Sequence, residues 1–254
     1  MESTNIQKVE VDPTQAINYN IELTSDPTLI QHIKDQSEIF KSIEAAFPFE
    51  EANRISQDER LISLGEVEFD MTPYTYGEID FNSFADILLG LQQNHGLFSS
   101  EEKNSKVFYD LGSGFGKPCI AAALILQSHL KKCVGVEFLE GLFNKSLDLK
   151  TYYDGLPLTD ALQTKPELEF KKDDFLKNTE WALEADIVFA NATCFEPQMV
   201  VEISKALCEK LKKGSIVILS TKSLTYEGEV FKKIGPFKKT MSWGSTNVSA
   251  YIKL

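Results

Sequence analysis

Three carboxylates stand in or just after three successive β-rich runs, and that recurrence is the first chemistry the sequence offers. Asp110 lies in the run Val107–Leu111, Glu137 ends Cys133–Glu137, and Asp174 follows Leu168–Lys171. After the first run comes Gly112-Ser-Gly114-Phe-Gly116, where glycines allow a tight turn and let a ligand touch the backbone. A small-residue helix, Ala121 to Leu126, lies behind it, and a helix start carries free N–H groups and a partial positive charge. The spacing is G-x-G-x-G and not the dinucleotide G-x-G-x-x-G, and a carboxylate at Asp110 would repel a pyrophosphate. That carboxylate suits a cationic amine, such as the amino end of S-adenosylmethionine. Glu137, about 20 residues past the last glycine, stands where an acid can take both ribose hydroxyls. Asp174 offers an acceptor for an adenine amino group and Phe175 a ring to cover the base. A fourth run, Asp186–Ala190, ends in Asn191, which would face a methyl donor and place an acceptor oxygen on a nucleophilic amine; capping the helix that begins near Glu196 is its other role.

The elements that must position these residues are legible from periodicity. From Lys106 onward, β-rich runs (the four above and Ser215–Ser220) alternate with helical stretches, the pattern of an α/β, doubly wound, mostly parallel sheet. Two last runs, Pro236–Met241 and Val248–Lys253, are close enough to pair as an antiparallel hairpin, giving a seven-stranded Rossmann-like sheet. Upstream, apolar spacing predicts a helix from Asp26 to Phe47, with Ser25 or Asp26 as cap, and a weaker one from Glu50 to Leu61. A third runs from Phe81 to Leu91, ended by Asn94 and Gly96, and Pro73 and Gly77 mark Met71–Glu78 as loop. The chain therefore divides into a helical segment with a loop, residues 1–105, and a ligand-binding core, residues 106–254.

Composition narrows the function classes. At 254 residues, 43% hydrophobic and 25% charged, the chain reads as a soluble globular protein. No run approaches the roughly 18 apolar residues of a membrane span, so no membrane partner is expected. Met1–Val11 lacks the basic start and apolar run of a secretory signal, which places the protein inside the cell, nucleus and cytoplasm both remaining open. Four cysteines without a CxxC pair or clustered histidines imply no metal and no disulfide framework. The net charge of −12 arises in the acidic first 105 residues. Scattered lysine pairs such as Lys212-Lys213 and Lys238-Lys239 make direct nucleic-acid binding weak or absent, whereas an acidic front fits a basic protein partner.

Thr75-Tyr76-Gly77-Glu78 with Phe81, Asp110 to Gly116, Gly135-Val-Glu137, Asp174-Phe175-Leu176, Phe189-Ala-Asn191, Gly214 to Ser220, Ser242-Trp243 and Val248-Ser249 follow one another in a recognisable order. Over residues 70–254 the chain resembles the non-SET histone lysine methyltransferases named for disruption of telomeric silencing. The resemblance implies methyl transfer from S-adenosylmethionine to a protein lysine. It implies that Tyr76, Gly77 and Glu78 close over the methionine moiety, with Asp110, Gly112, Glu137, Asp174 and Phe175 holding the rest. By the same resemblance Asn191 lies at the transfer site and Trp243 walls the lysine channel.

The departures gather mostly on the acceptor side. Ala192 and Thr193 stand where the family has a polar or aromatic pair after its asparagine, Ile79 where it has threonine, and Ala250, with Tyr251 adjacent, where it has the channel tyrosine. A glutamine just after the glycine turn is replaced by Lys117, which joins the residues expected at the cofactor. The long basic DNA-binding tail is lacking. The acceptor thus stays open: a histone, another protein, or a small molecule in a crevice lined by Tyr74, Tyr76, Phe195 and Trp243. A catalytically degenerate binding module is the alternative outside the enzymes.

Overall fold

A computed structural model of the chain describes residues 26–66, 74–95, 102–226 and 228–254. The expectations for Met1–Val11, Ser25, Met71–Pro73 and Gly96 lie outside the described residues. Three helices come first: α1 (Pro27–Ala46), α2 (Phe49–Glu66) and α3 (Phe81–His95). Then follow β1 (Lys106–Leu111), α4 (Lys117–Ile125), β2 (Leu130–Glu137), α5 (Glu140–Gly155), β3 (Glu167–Lys172), α6 (Trp181–Glu184) and β4 (Ile187–Ala190). After a 3-10 turn at Ala192–Cys194 come α7 (Pro197–Lys210), β5 (Ile216–Ser220), β6 (Phe231–Met241) and β7 (Gly244–Lys253).

The strands form one seven-stranded sheet in the order β3-β2-β1-β4-β5-β7-β6. β1 to β5 are mutually parallel, while β7 runs antiparallel to both β5 and β6. Strand order reverses between β1 and β4, and in open sheets ligands bind outside the carboxyl ends at such a switch point. Residues 112–116 leave β1 there and Asn191 leaves β4.

Sequence periodicity explains the layering. β4 and β5 are buried along their whole length, and their apolar runs Ile187–Ala190 and Ile216–Leu219 are what a strand covered on both faces requires. On β1, Phe108 enters the core shared with α1, α3, α4 and α5, and its neighbour Tyr109 enters the opposite core with Trp181 and Leu207. α4 is buried on all sides, so its apolar run shows no amphipathic stripe. Phe84 of α3 packs its ring 4.9 Å from Phe189 and 6.2 Å from Phe108, seating α3 on the sheet.

Two details differ from the sequence reading. α3 continues through Asn94 to His95, its last turn held by a polar contact, with Gln92 Nε2 3.0 Å from His129 Nε2. The hairpin turn is Ser242-Trp243, and Gly244 to Asn247 belong to β7, opposite Met241 to Lys238. Asp26 caps α1 by accepting from the Thr28 N–H at 2.9 Å.

Candidate active site

The glycine turn is bent by three residues in the left-handed region, Gly112, Gly114 and Gly116, at φ of 78°, 54° and 89°. Space forbids side chains at the last two as well: a Cβ on Gly114 would strike the Tyr76 ring, and one on Gly116 the Phe170 ring. The Gly112 and Ser113 N–H groups donate to the Val136 carbonyl at 2.9 and 3.1 Å, which fixes the turn against β2. Glu137 then grips it from the side: one carboxylate oxygen accepts from the Gly114 N–H at 2.7 Å and the other from Leu139 N–H at 2.8 Å. Burial pushes the Glu137 carboxyl up, opposed by those backbone donors.

Beneath the turn, Asp110 is 1% exposed and its Oδ2 has no hydrogen-bond partner; nearby, Ser113 Oγ is buried in the same condition. Burial, and then the charge of Glu137, hold the Asp110 carboxyl well above the usual carboxylate range. An orphaned buried carboxylate oxygen is costly unless something donates to it, and a ligand ammonium would do so. This is the observation on which an amine-bearing cofactor fits the residues present.

The segment from Tyr74 to Asp80 closes over the turn and is held from two sides. From α2, Ser56 donates to the Tyr74 carbonyl and Arg60 to Thr75 Oγ1, each at 2.9 Å. From the β6–β7 turn, Ser242 N–H donates to the Glu78 carbonyl at 2.8 Å and Glu78 N–H to Ser242 Oγ at 3.1 Å, with Ile79 bridged to Met241. The Tyr76 ring lies 6.0 Å from Phe115 and 5.8 Å from Phe49, and its hydroxyl donates to Glu78 Oε1 at 2.5 Å. The same oxygen meets Lys117 Nζ at 2.7 Å, a nearly buried ion pair that ties the segment to the start of α4. Burial first, then the Glu78 carboxylate, pushes the Tyr76 phenol well above its ordinary value.

Two chambers open on either side of this segment. One, of about 560 Å³ and open to solvent, is lined by Gly112, Gly114, Glu137, Phe138, Phe175 and Phe195 among others. The other, of about 470 Å³, is walled by Thr193, Cys194 and Trp243. Thr75, Tyr76, Gly77 and Asn191 line both, so the four form the partition. Phe175 stacks on Phe195 at 5.7 Å and Trp181 Nε1–H donates to the Phe175 carbonyl at 2.9 Å, which fixes that ring in the first chamber wall. Trp243, 45% exposed, lies against Gly77 so closely that a Cβ there would enter its ring.

Most of the sequence candidates therefore converge, with two qualifications of orientation. Asp174 turns back on its own loop, accepting from Leu176 N–H at 3.0 Å and pairing with Lys177 at 3.3 Å; it lies near the Tyr74 phenol and not in the chamber lining. Asn191 donates to the Gly77 carbonyl at 3.1 Å, while its Oδ1 accepts from Ser220 Oγ at 2.7 Å and Thr193 Oγ1 at 3.1 Å. Its oxygen is thus already taken up by hydroxyls. Its side chain does not cap α7, whose start at Pro197 follows Glu196. Ala250 and Tyr251 are fully buried in the sheet and reach neither chamber. Sequence reasoning passed over Phe138, Leu142 and Met199 as lining, and Ser220, Thr221 and Thr246 as hydroxyl partners, because single apolar or hydroxyl residues carry no spacing signal. Among the described residues no cluster of His, Cys, Asp and Glu could hold a metal ion, and no helix is long and apolar enough to cross a membrane.

Comparison with known proteins gives a matching result at the level of the whole domain. Residues 68–253 match the family described as histone methylation protein DOT1. A Caenorhabditis elegans histone-lysine N-methyltransferase, H3 lysine-79 specific, is 28% identical over 145 residues, which are 56% of this chain and 14% of that protein. The chain thus spans about a seventh of that relative's length. Among solved structures, the rRNA methyltransferase aviRa of Streptomyces viridochromogenes aligns with 8% identity and a TM-score of 0.49, over 70% of this chain and 86% of that one. A Haemophilus influenzae protein described as a methylase aligns with 18% identity and a TM-score of 0.47, over 67% and 88%.

Proposed function

The chain belongs to the histone methylation protein DOT1 family, and we propose that it transfers methyl groups from S-adenosylmethionine to lysine side chains of a histone. The observation that carries this reading is the pair of chambers meeting at Tyr76, Gly77 and Asn191, one floored by the glycine turn and Glu137, the other walled by Trp243. A reaction joining a nucleoside donor to a separate acceptor needs such a partition with a shared wall. Family membership supports the lysine; the net charge of −12 favours a basic protein over direct hold on DNA phosphates. A histone acceptor places the enzyme's work in the nucleus.

S-adenosylmethionine, when bound, supplies an electrophilic methyl on a sulfonium. The protein's residues do the rest by alignment and electrostatics. Asp110 would receive the ligand ammonium on the oxygen now unpartnered. Glu137, still holding the turn through Gly114, has lone pairs left for vicinal ribose hydroxyls. Phe175, fixed by Trp181 and Phe195, would cover the base, whereas Asp174 stays engaged on its own loop outside the chamber lining. Gly112, Gly114 and Gly116 keep the turn open to close backbone approach, and Lys117 with Glu78 and Tyr76 holds the lid shut against water.

Asn191 acts here as a pin: its amide binds the Gly77 carbonyl and so sets the width of the passage between the chambers. An acceptor amine attacks only when neutral, since the protonated form has no lone pair, and the apolar ring faces of Tyr76 and Trp243 favour the neutral form. The test is incubation with methyl-labelled S-adenosylmethionine and histones: acid-stable label in protein supports the reading, and label confined to a small-molecule fraction rejects it.

A further inference from the structure

An acceptor ammonium must lose a proton in the second chamber, yet among the described residues that chamber's wall holds no carboxylate and no imidazole. What does leave it is a run of hydroxyls. Thr193 Oγ1, in the chamber wall, lies 2.9 Å from Thr221 Oγ1, which lies 2.8 Å from Thr246 Oγ1. In both contacts either oxygen can donate. Thr193 Oγ1 also donates to Asn191 Oδ1 at 3.1 Å, so the outward direction requires its proton to turn from Asn191, which keeps the Ser220 donor, to Thr221. Thr221 is exposed, so water could satisfy its hydroxyl, and burial does not demand the chain. Its backbone sits at φ 61°, the left-handed region that β-branched residues avoid, held by donation from its N–H to the Asn247 carbonyl at 2.7 Å. Ser220 branches from the start, 3.2 Å from Thr193 and donating to Asn191.

We infer that Thr193, Thr221 and Thr246 form a relay carrying the acceptor's departing proton from the Trp243 chamber to solvent, an inference that rests on the methyl-transfer reading. One N–H bond of the ammonium breaks and its proton goes to Thr193 Oγ1. The Thr193 proton passes to Thr221 Oγ1, the Thr221 proton to Thr246 Oγ1, and the Thr246 proton to bulk water. Each hydroxyl ends with one proton, and rotation about the Cβ–Oγ bonds resets the chain. The titratable groups around this path are Cys194 in the wall, Tyr76 with its hydroxyl committed to Glu78, Lys222 beside Thr221, and Lys239 opposite Thr246 but paired with Asp86. Thr193 meets the acceptor directly in this relay, Thr221 and Thr246 act through it, and none of the three lines the cofactor chamber.

The experiment is the pH profile of kcat for transfer from S-adenosylmethionine to nucleosomal histone, by the parent protein and by Thr193→Val, Thr193→Ser, Thr246→Val and Cys194→Ala. Loss of the relay is expected to lower kcat about tenfold near neutral pH in Thr193→Val, and less in Thr246→Val, with the curves converging in alkali. Thr193→Ser restores the parent profile, and cofactor affinity is unchanged throughout. A uniform loss at every pH in Thr193→Val with a parent-like Thr246→Val would overturn the relay. So would a shifted profile in Cys194→Ala alone, which assigns the proton to the thiol. Absence of transfer by the parent protein overturns the function proposed above and the relay with it.

Discussion

The two chambers are built from different kinds of sequence. The floor of the donor chamber is local: β1, the glycine turn and the end of β2 lie within Lys106–Glu137 and lock to one another through backbone bonds and the Glu137 carboxylate, while Tyr74–Gly77, Phe175, Asn191 and Phe195 complete the walls. The acceptor chamber is assembled from Thr75–Gly77, Asn191–Cys194 and Trp243, segments brought together across the sheet, and beside it lie Ser220, Thr221 and Thr246. The first opens to solvent above a buried floor, where Asp110 carries an unpartnered carboxylate oxygen that a specific ligand would satisfy. The second is walled by Trp243, Cys194 and Thr193, with Trp243 45% exposed and the hydroxyls of Ser220, Thr221 and Thr246 behind Thr193. A donor floor locked within one stretch of chain and an acceptor chamber assembled from distant segments therefore share one partition.

The sharpest way to break that contrast is at the partition. Asn191→Ala frees Gly77 and is expected to lower turnover about a hundredfold, since small misplacements at reacting atoms cost that much, with cofactor affinity changing only a few-fold. Parallel loss of both in single-turnover and calorimetric measurements would make Asn191 a donor-side residue. Next comes Glu137→Ala, which removes charge-assisted bonds and is expected to weaken cofactor binding about thirtyfold while the sheet stays folded. Unchanged affinity by calorimetry, with circular dichroism showing a folded protein, would remove Glu137 from the site.

A third effect is graded by pH. The Asp110 carboxyl is raised in the free protein and must ionise to receive an ammonium, so binding releases a proton. Cofactor affinity is then expected to fall on acidification below that raised value, at most about tenfold per unit, and to level off above it. The same burial makes the ligand-free protein lose stability as pH rises through the raised value, because the unfolded carboxyl ionises earlier. Titration calorimetry in buffers of different ionisation heat reads the released proton, and Asp110→Asn should abolish the dependence. The smallest effect is expected for Trp243→Ala, a several-fold rise in KM for the acceptor with cofactor affinity unaltered, because the ring meets Gly77 and not the glycine turn.

How much of this was legible follows from the same contrast. Apolar alternation and runs placed the five parallel strands within a few residues, since burial on both faces leaves little freedom at Ile187–Ala190 or Ile216–Leu219. Glu137 and the glycines were legible because φ angles and backbone approach restrict those positions to few residue types. Asp174 and Asn191 were singled out by position, but the directions of their side chains were not legible: Asp174 turns to its own loop and Asn191 to partners far away in sequence. Ser220 is 29 residues from Asn191, and Gly77 is 114. No periodicity reports such pairs. Lys117 was legible as a departure, and only the fold shows what it meets, the Glu78 carboxylate beneath the Tyr76 hydroxyl.

The most direct measurement is mass-spectrometric location of the methyl group after single turnover with S-adenosylmethionine and nucleosomes, run beside Asn191→Ala. The expected result is methyl-lysine on a histone with the parent protein and about a hundredfold slower appearance with the variant, both proteins binding cofactor comparably. A parent protein that binds S-adenosylmethionine yet leaves every histone lysine unmodified would contradict the proposed acceptor.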